Sequence, residues 1–220
     1  MRDLTRNFAG GGAFIDALCA KYGSDKGSLS LGNLSNHITH TYTTVYAELL
    51  RENRDRVRTV FECGLGMGDY HLCVGVNGKP GASLRVWRDY FPNAEIWGAD
   101  IDRDILFTED RIKTGFIDQR SPATIKEFFT QTGNAAFDLM IDDGLHEFNA
   151  NRILFENAID RLANDGIYVV EDVVTPSLAQ WQTYFDDKKE YLVTYFAMNA
   201  SSMSDNNLVV IRKKANESRA

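Results

Sequence analysis

From Thr59 onward the chain alternates short runs rich in β-branched and aromatic residues with longer stretches whose apolar residues recur at helical spacing, and this alternation narrows the fold more than any other feature. Strands separated by helices long enough to cross back over a sheet specify parallel pairing with helices on both faces. The strand-like runs are Thr59-Val60-Phe61-Glu62, Glu95-Ile96-Trp97-Gly98-Ala99, Gly115-Phe116-Ile117, Phe137-Asp138-Leu139-Met140-Ile141 and Ile167-Tyr168-Val169-Val170. Helices are predicted between them over Ala82 to Tyr90, which carries Leu84, Val86 and Trp87, and over Pro122 to Phe129 behind the cap Ser121. A third is predicted over Phe148 to Leu162, where Ile153, Leu154, Ala158, Ile159 and Leu162 fall at helical spacing. Two late runs, Tyr191 to Phe196 and Asn207 to Ile211, are separated only by the polar stretch Asn199 to Asn206, so they are expected to pair as an antiparallel hairpin at one sheet edge.

Before Thr59 the pattern changes to a helix-like Phe14 to Tyr22, a Gly/Ser/Asn-rich loop from Gly23 to Asn36, and a second helix-like stretch from Tyr42 to Arg51. The expected fold class is α/β: a Rossmann-like, doubly wound, mostly parallel sheet with a C-terminal antiparallel hairpin and a helical N-terminal extension. Residues 1–55 read as that extension or lid, without a core of its own, and residues 56–220 as one ligand-binding domain. There are no internal repeats, and the tail Lys213 to Ala220 is polar enough to fray.

The formal charge of -7 and pI near 5.1 argue against nucleic acid, whose phosphates would be repelled rather than traded for counterions. A small or uncharged partner fits better. No stretch approaches the roughly 18 apolar residues of a membrane span, and no apolar signal region follows Met1-Arg2-Asp3, so a soluble, cytoplasmic protein with no membrane partner is expected. Cys19, Cys63 and Cys73 lack disulfide or C-x-x-C spacing and read as thiols in a reducing compartment.

The chemistry gathers where the strands end. Glu62-Cys63-Gly64-Leu65-Gly66-Met67-Gly68 follows the first core strand, and its glycines, Gly64 and Gly66 foremost, allow a tight turn that a ligand can approach. The pattern G-x-G-x-x-G would need glycine at position 69, where Asp69 stands, so dinucleotide binding loses ground. The acidic Glu62 suits a ligand carrying an amine and a sulfonium better than pyrophosphate, which favours S-adenosylmethionine. Asp100 ends the second strand, where a carboxylate can accept from both ribose hydroxyls, and Asp118-Gln119 follows the third, placed to take an adenine amino group.

Asp142-Asp143-Gly144-Leu145-His146 follows the fourth strand and Glu171-Asp172 the fifth. If those strands are neighbours, Asp143, Glu171 and Asp172 crowd together, and a bound cation relieves the repulsion. Oxygen ligands favour a hard ion, Mg²⁺ first. His146 is then the candidate base for an acceptor hydroxyl, with Asp143 beside it. The bland reading is that Asp142 and Asp143 cap the next helix and His146 is merely solvated. His37, His40 and His71 read as ordinary loop residues as far as metal is concerned, although His40-Thr41-Tyr42 could line a substrate pocket.

Glu62-Cys63-Gly64-Leu65-Gly66, Pro80-Gly81-Ala82-Ser83-Leu84-Arg85, Asp100-Ile101-Asp102, Asp142-Asp143-Gly144-Leu145-His146 and Val170-Glu171-Asp172 together resemble metal-dependent sugar O-methyltransferases of the macrolide mycinose pathway type, over roughly residues 40 to 212. The resemblance implies Mg²⁺ on Asp143, Glu171 and Asp172, His146 as base, Asp142 at the cofactor and Ser83 near its methionine moiety. Tyr22-Gly23-Ser24-Asp25-Lys26-Gly27 and His40-Thr41-Tyr42-Thr43-Thr44-Val45-Tyr46 resemble segments of bacterial glycan and capsule-cluster methyltransferases, which implies a small-molecule acceptor containing a sugar. Related enzymes assemble as homo-oligomers, though no interface signature is visible here. The departure is the long Asp69 to Pro80 insertion at the ligand end, which bears on the acceptor pocket. The alternatives are methylation of a catechol or other vicinal diol, a cephalosporin hydroxylase-like enzyme sharing a similar acidic set, and a non-catalytic cofactor-binding module.

Overall fold

The structure, a computed structural model, describes residues 12–27, 40–66, 79–198 and 205–215. His37, His71, Cys73, Met67, Gly68, the insertion up to Gly78 and the end of the polar tail lie outside them. Among the described residues the strands form one eight-stranded sheet: β1 (Thr59–Cys63), β2 (Glu95–Asp100), β3 (Thr108–Glu109), β4 (Ile112–Phe116), β5 (Phe137–Asp142), β6 (Leu162–Val170), β7 (Tyr191–Ala197) and β8 (Asn207–Lys213). Their order is β3-β4-β2-β1-β5-β6-β8-β7. β4, β2, β1, β5 and β6 run parallel, while β8 and β7 form the antiparallel hairpin at the edge, as the sequence leads one to expect. The order reverses direction between β1 and β5, and an open α/β sheet binds its ligands at the strand C-termini beside such a switch point.

Six helices cover the sheet: α1 (Ala13–Tyr22), α2 (Tyr42–Leu50), α3 (Ala82–Tyr90), α4 (Pro122–Gln131), α5 (Phe148–Ala158) and α6 (Thr175–Phe185), counted among the described residues. Alternation along the strands splits the core in two. Val60, Leu139, Ile141, Ile167, Val169 and Val210 face one side, packed with α1, α2 and α3 through Ile15, Tyr46 and Trp87. Phe61, Met140, Tyr168, Val170 and Ile211 face the other, packed with α4, α5 and α6 through Phe128, Phe155 and Trp181. Each such fully buried apolar side chain contributes about 1.5–3 kcal/mol. The N-terminal helices therefore share the core of the sheet.

Three sequence expectations need adjusting. The helix expected through Leu162 ends at Ala158, because Leu162 already pairs with Phe137 as the start of β6, after a single 3-10 turn over Ile159–Arg161. β4 begins at Ile112 rather than Gly115; a Cβ at Gly115 would stand 3.0 Å from the Phe128 ring, which packs closely over it. α6 was not anticipated, although Leu178, Trp181 and Phe185 bury one helical face and Pro176 suits its first turn.

Candidate active site

Hydrogen bonds carry the parallel ladder one residue past each strand end. The Gly64 amide donates to Ala99 O (2.8 Å), Asp143 N to Cys63 O (2.8 Å), and Glu171 N to Asp142 O (2.9 Å). Because Cys63, Asp142 and Val170 stand in register, Gly64, Asp143 and Glu171 form a row across the C-terminal edge. At Gly64, φ is +99° and a Cβ would lie 1.9 Å from Asp143 O, so only glycine lets the turn close against that backbone. Gly66 also has positive φ (+97°), yet among the described residues a Cβ there would meet nothing within 4 Å.

Successive residues of β5 point to opposite faces, which separates the two aspartates. Asp142 is fully buried: its Oδ1 accepts from Gln119 Nε2 (2.6 Å), Oδ2 has no geometric hydrogen bond among the described residues, and burial pushes the carboxyl up to about 6. Gln119 Oε1 in turn accepts from Leu145 N (2.8 Å). Asp118 turns away to accept from Arg120 N (3.0 Å). Asp100 receives the amides of Leu65 (2.8 Å) and Asp102 (2.9 Å), pinning the glycine turn to the end of β2. Glu62 is buried under that turn, accepting from Ser83 Oγ (2.7 Å) and Trp87 Nε1.

Asp143 faces the other way, toward His146 and Asp172. His146 Nε2 lies 3.4 Å from Asp143 Oδ1 and 3.1 Å from Asp172 Oδ2, and the three donor atoms lie within 4.8 Å of one another. Burial opposes charge on the ring, but the two carboxylates outweigh it and push the imidazole up to about 10. His146 (φ +57°) and Asp172 (φ +52°) are both held in left-handed backbone, which non-glycine residues adopt at a cost of about 1–3 kcal/mol. That strain is concentrated where the two side chains meet. His146 precedes α5, and its ring is about 40% exposed, open to an incoming molecule.

Residues from the N-terminal segment complete the cluster. Lys26, buried to 3%, places Nζ 2.6 Å from Asp143 Oδ2, 3.3 Å from Glu62 Oε1, and against Glu171 Oε2. Burial disfavours its charge, but the Asp143, Glu171 and Glu62 carboxylates hold it well above the ordinary lysine value. One α2 face carries Tyr42 and Tyr46, four residues apart. Tyr42 donates to Asp172 Oδ1 (2.6 Å) and Tyr46 to Glu171 Oε1. His40 stacks on Tyr42 (4.5 Å) with Nε2 3.3 Å from Asp172 Oδ1. Of the residues singled out in the sequence, then, Asp143, His146 and Asp172 converge, Asp142 and Gln119 form a separate buried pair, and Glu171 faces Lys26 and Tyr46. Tyr42 was expected only to line a substrate pocket, and the sequence assigns Lys26 and Tyr46 no individual role. The tyrosine spacing was the available signal; nothing local betrayed Lys26.

No known family model matches the chain. It is 33% identical over 173 residues to an 8-demethyl-8-alpha-L-rhamnosyl tetracenomycin-C 2'-O-methyltransferase of Streptomyces olivaceus, a match covering 79% of this chain and 41% of the relative. It is 34% identical over 148 residues to demethylmacrocin O-methyltransferase of Streptomyces fradiae, covering 67% of this chain and 35% of the relative. The MycE methyltransferase from the mycinamycin biosynthetic pathway, solved in complex with Mg, SAH and mycinamycin VI, superposes with a TM-score of 0.68 at 23% identity over 94% of this chain and 56% of that one. This is a Rossmann-like methyltransferase fold. By sequence the chain is similar to these two O-methyltransferases, and it spans about two fifths of the length of the curated relatives it matches. Among the described residues no helix is long and apolar enough to cross a membrane.

Proposed function

We propose that this chain is an S-adenosylmethionine-dependent O-methyltransferase that acts on a hydroxyl of a sugar or glycan precursor, in the cytoplasm, with a divalent cation and a histidine base. The observation that carries the reading is the convergence of Asp143, His146 and Asp172 at the strand C-termini, one residue row from the Gly64–Gly66 turn. The names of the relatives above, which are O-methyltransferases of rhamnosyl and macrolide compounds, support the same class of acceptor.

The residues present fit both groups. Two carboxylates with an imidazole beside them make an oxygen-rich donor set suited to a hard ion such as Mg²⁺. Among the described residues nothing lies where a Cβ at Gly66 would stand, which fits a cradle for the cofactor. When bound, a divalent cation supplies positive charge that offsets Asp143 and Asp172, lowering the pKa of a neighbouring hydroxyl and of His146. When bound, S-adenosylmethionine supplies the methyl group as a sulfonium.

The protein's own residues do the rest. Asp100 and the amides around Gly64 and Leu65 shape the cofactor end, and Gln119 with Asp142 closes its floor. His146, neutral once positive charge stands beside it, takes the hydroxyl proton at Nε2. Tyr42 and His40 hold Asp172 in one orientation, and the segments around Lys26 and α2 cover the acidic cluster, acting as the lid. Fixing acceptor and methyl donor in line supplies much of the rate. The test is calorimetric titration of S-adenosylmethionine and S-adenosylhomocysteine in MgCl₂ and in EDTA, followed by methylation assays on rhamnosylated acceptors. Binding followed by cation-dependent methylation is expected; no binding in either buffer overturns the reading.

A further inference from the structure

The two edges of the sheet are finished differently. One closes on β3, only Thr108–Glu109, where Glu109 is held by Arg85 and Arg88. A strand so short and charged offers a second chain little to pair with. The other edge closes on β7 (Tyr191–Ala197), which contains no proline, glycine or charged residue and pairs with β8 along its whole length without a bulge. It carries none of the devices that ordinarily guard an edge. Leu192, on this strand, is 54% exposed. The Lys214 amide donates to Glu190 O (2.8 Å), which fixes the phase of the β7–β8 ladder. Bonded positions alternate along an antiparallel pair, so Leu192, Thr194 and Phe196 direct their backbone groups to β8. Val193, Tyr195 and Ala197 direct theirs outward, where no described residue hydrogen-bonds to them, while the outward Tyr191 amide is taken by Lys188 O (3.3 Å).

We propose that β7 pairs antiparallel with β7 of a second copy of this chain, in the register centred on Thr194, so that two sheets become one. The strand is complementary to itself in that register, as a twofold interface requires. Pairing then runs the full length of β7, with Val193 opposite Tyr195, Leu192 opposite Phe196, and Thr194 facing its own copy. Aliphatic against aromatic and Thr against Thr are favourable cross-strand pairs. No like charges oppose each other, since Glu190 falls opposite Met198. Val193 and Tyr195 exchange both backbone bonds across the interface, and the exposed Leu192 is covered. The twofold axis stands normal to the sheet, so the C-terminal ends of β1, β5 and β6 point in opposite directions in the two copies. Both acidic clusters therefore stay clear of the interface.

Sedimentation velocity over a concentration series, comparing the unaltered protein with Val193→Pro, tests this. The Val193 amide points away from β8, so proline there removes an intermolecular donor and leaves the β8 ladder whole. The unaltered protein should dimerise reversibly, with a Kd on the order of micromolar for an interface this small. Val193→Pro should associate about tenfold or more weakly, with its circular dichroism spectrum intact. Thr194→Cys, in a Cys73→Ser background, should join two chains by a disulfide on mild oxidation; Cys19 and Cys63 are buried. At this self-paired position the Cα atoms stand about 4.5 Å apart, within the span of a disulfide. Leu192→Cys in the same background should not, since its two copies would lie roughly 13 Å apart. A chain that stays monomeric across the series, its edge bare or covered by a segment of its own, overturns the proposal. So does a dimer that survives Val193→Pro and crosslinks no better through Thr194→Cys than through Leu192→Cys. Should Val193→Pro disturb the fold, the contrast between the two cysteine variants decides alone.

Discussion

Gly64 is where backbone geometry and the acidic centre meet, and Gly64→Ala measures how tightly they are joined. An alanine Cβ there would stand 1.9 Å from Asp143 O, 2.5 Å from its carbonyl carbon and 3.1 Å from Gly144 Cα. Ordinary contact begins at 3.4 Å, so Asp143 must retreat by 1.5 Å (3.4 − 1.9). That movement overpacks a tight junction, costing about 1–3 kcal/mol. It also breaks the 2.8 Å bond from Asp143 N to Cys63 O, at about 1 kcal/mol. The φ of +99° adds strain, about 1–3 kcal/mol for a non-glycine residue. The sum is about 3–7 kcal/mol, a large share of the about 5–15 kcal/mol that stabilises a domain. Gly66→Ala is the internal control: φ is +97° but no described residue lies within 4 Å of the added Cβ, so the strain of about 1–3 kcal/mol is the expected cost. Urea denaturation of both variants should place Gly64→Ala about 2–4 kcal/mol below Gly66→Ala. Two variants that agree within about 0.5 kcal/mol would refute the claim that the turn is packed on the Asp143 backbone.

Other consequences follow from the same geometry. Replacing His146 with Ala should lower kcat by about 100-fold or more while leaving S-adenosylhomocysteine affinity within a few-fold; unchanged turnover would remove the base. Asp100→Ala should weaken cofactor binding by about tenfold, read by calorimetry, since it frees the Leu65 amide and the turn. Asp89 tests acid stability: burial would raise it, but Lys21, Tyr22 and Arg88 hold it down, from the ordinary 3.8 to about 2. A depressed carboxyl stabilises the fold above its unfolded pKa and loses that contribution as pH falls through the folded one. Thermal melts between pH 4 and 2 should therefore fall less steeply for Asp89→Asn, and parallel curves would contradict the pairing. Burial pushes Cys19 up to about 12 and Cys63 well above the usual thiol range, so peptide-level alkylation at pH 8 should label neither until denaturant is added.

Much of this molecule can be read along the chain because its determinants are local. Short β-rich runs mark Thr59–Cys63 and Phe137–Asp142, and parallel pairing then carries Gly64, Asp143 and Glu171 to one edge. The turn at Gly64 and Gly66 is visible for the same reason, since φ values of +99° and +97° strongly favour glycine. What escapes is decided by distance in sequence. Lys26 meets Asp143 across 117 residues and Glu171 across 145, and a lysine in a Gly/Ser-rich loop carries no local mark of burial. The crowding of acids points to a cation, and the Lys26 ammonium also stands among them. Leu162 reads as the last residue of a helix by spacing, yet pairing with Phe137 makes it a strand residue, an instance of tertiary contact overriding periodicity. α6 carries a legible apolar spacing at Leu178, Trp181 and Phe185.

The central claim is that the cluster of Asp143, His146 and Asp172 serves methyl transfer to a sugar hydroxyl. It is tested most directly by incubating the protein with methyl-labelled S-adenosylmethionine and a rhamnosylated acceptor, with MgCl₂ or EDTA, and following label into product. Label in the sugar with MgCl₂, abolished by EDTA and by Asp172→Asn, is the predicted result. Cofactor binding with label that never leaves S-adenosylmethionine, or transfer indifferent to EDTA and to Asp172, would contradict it.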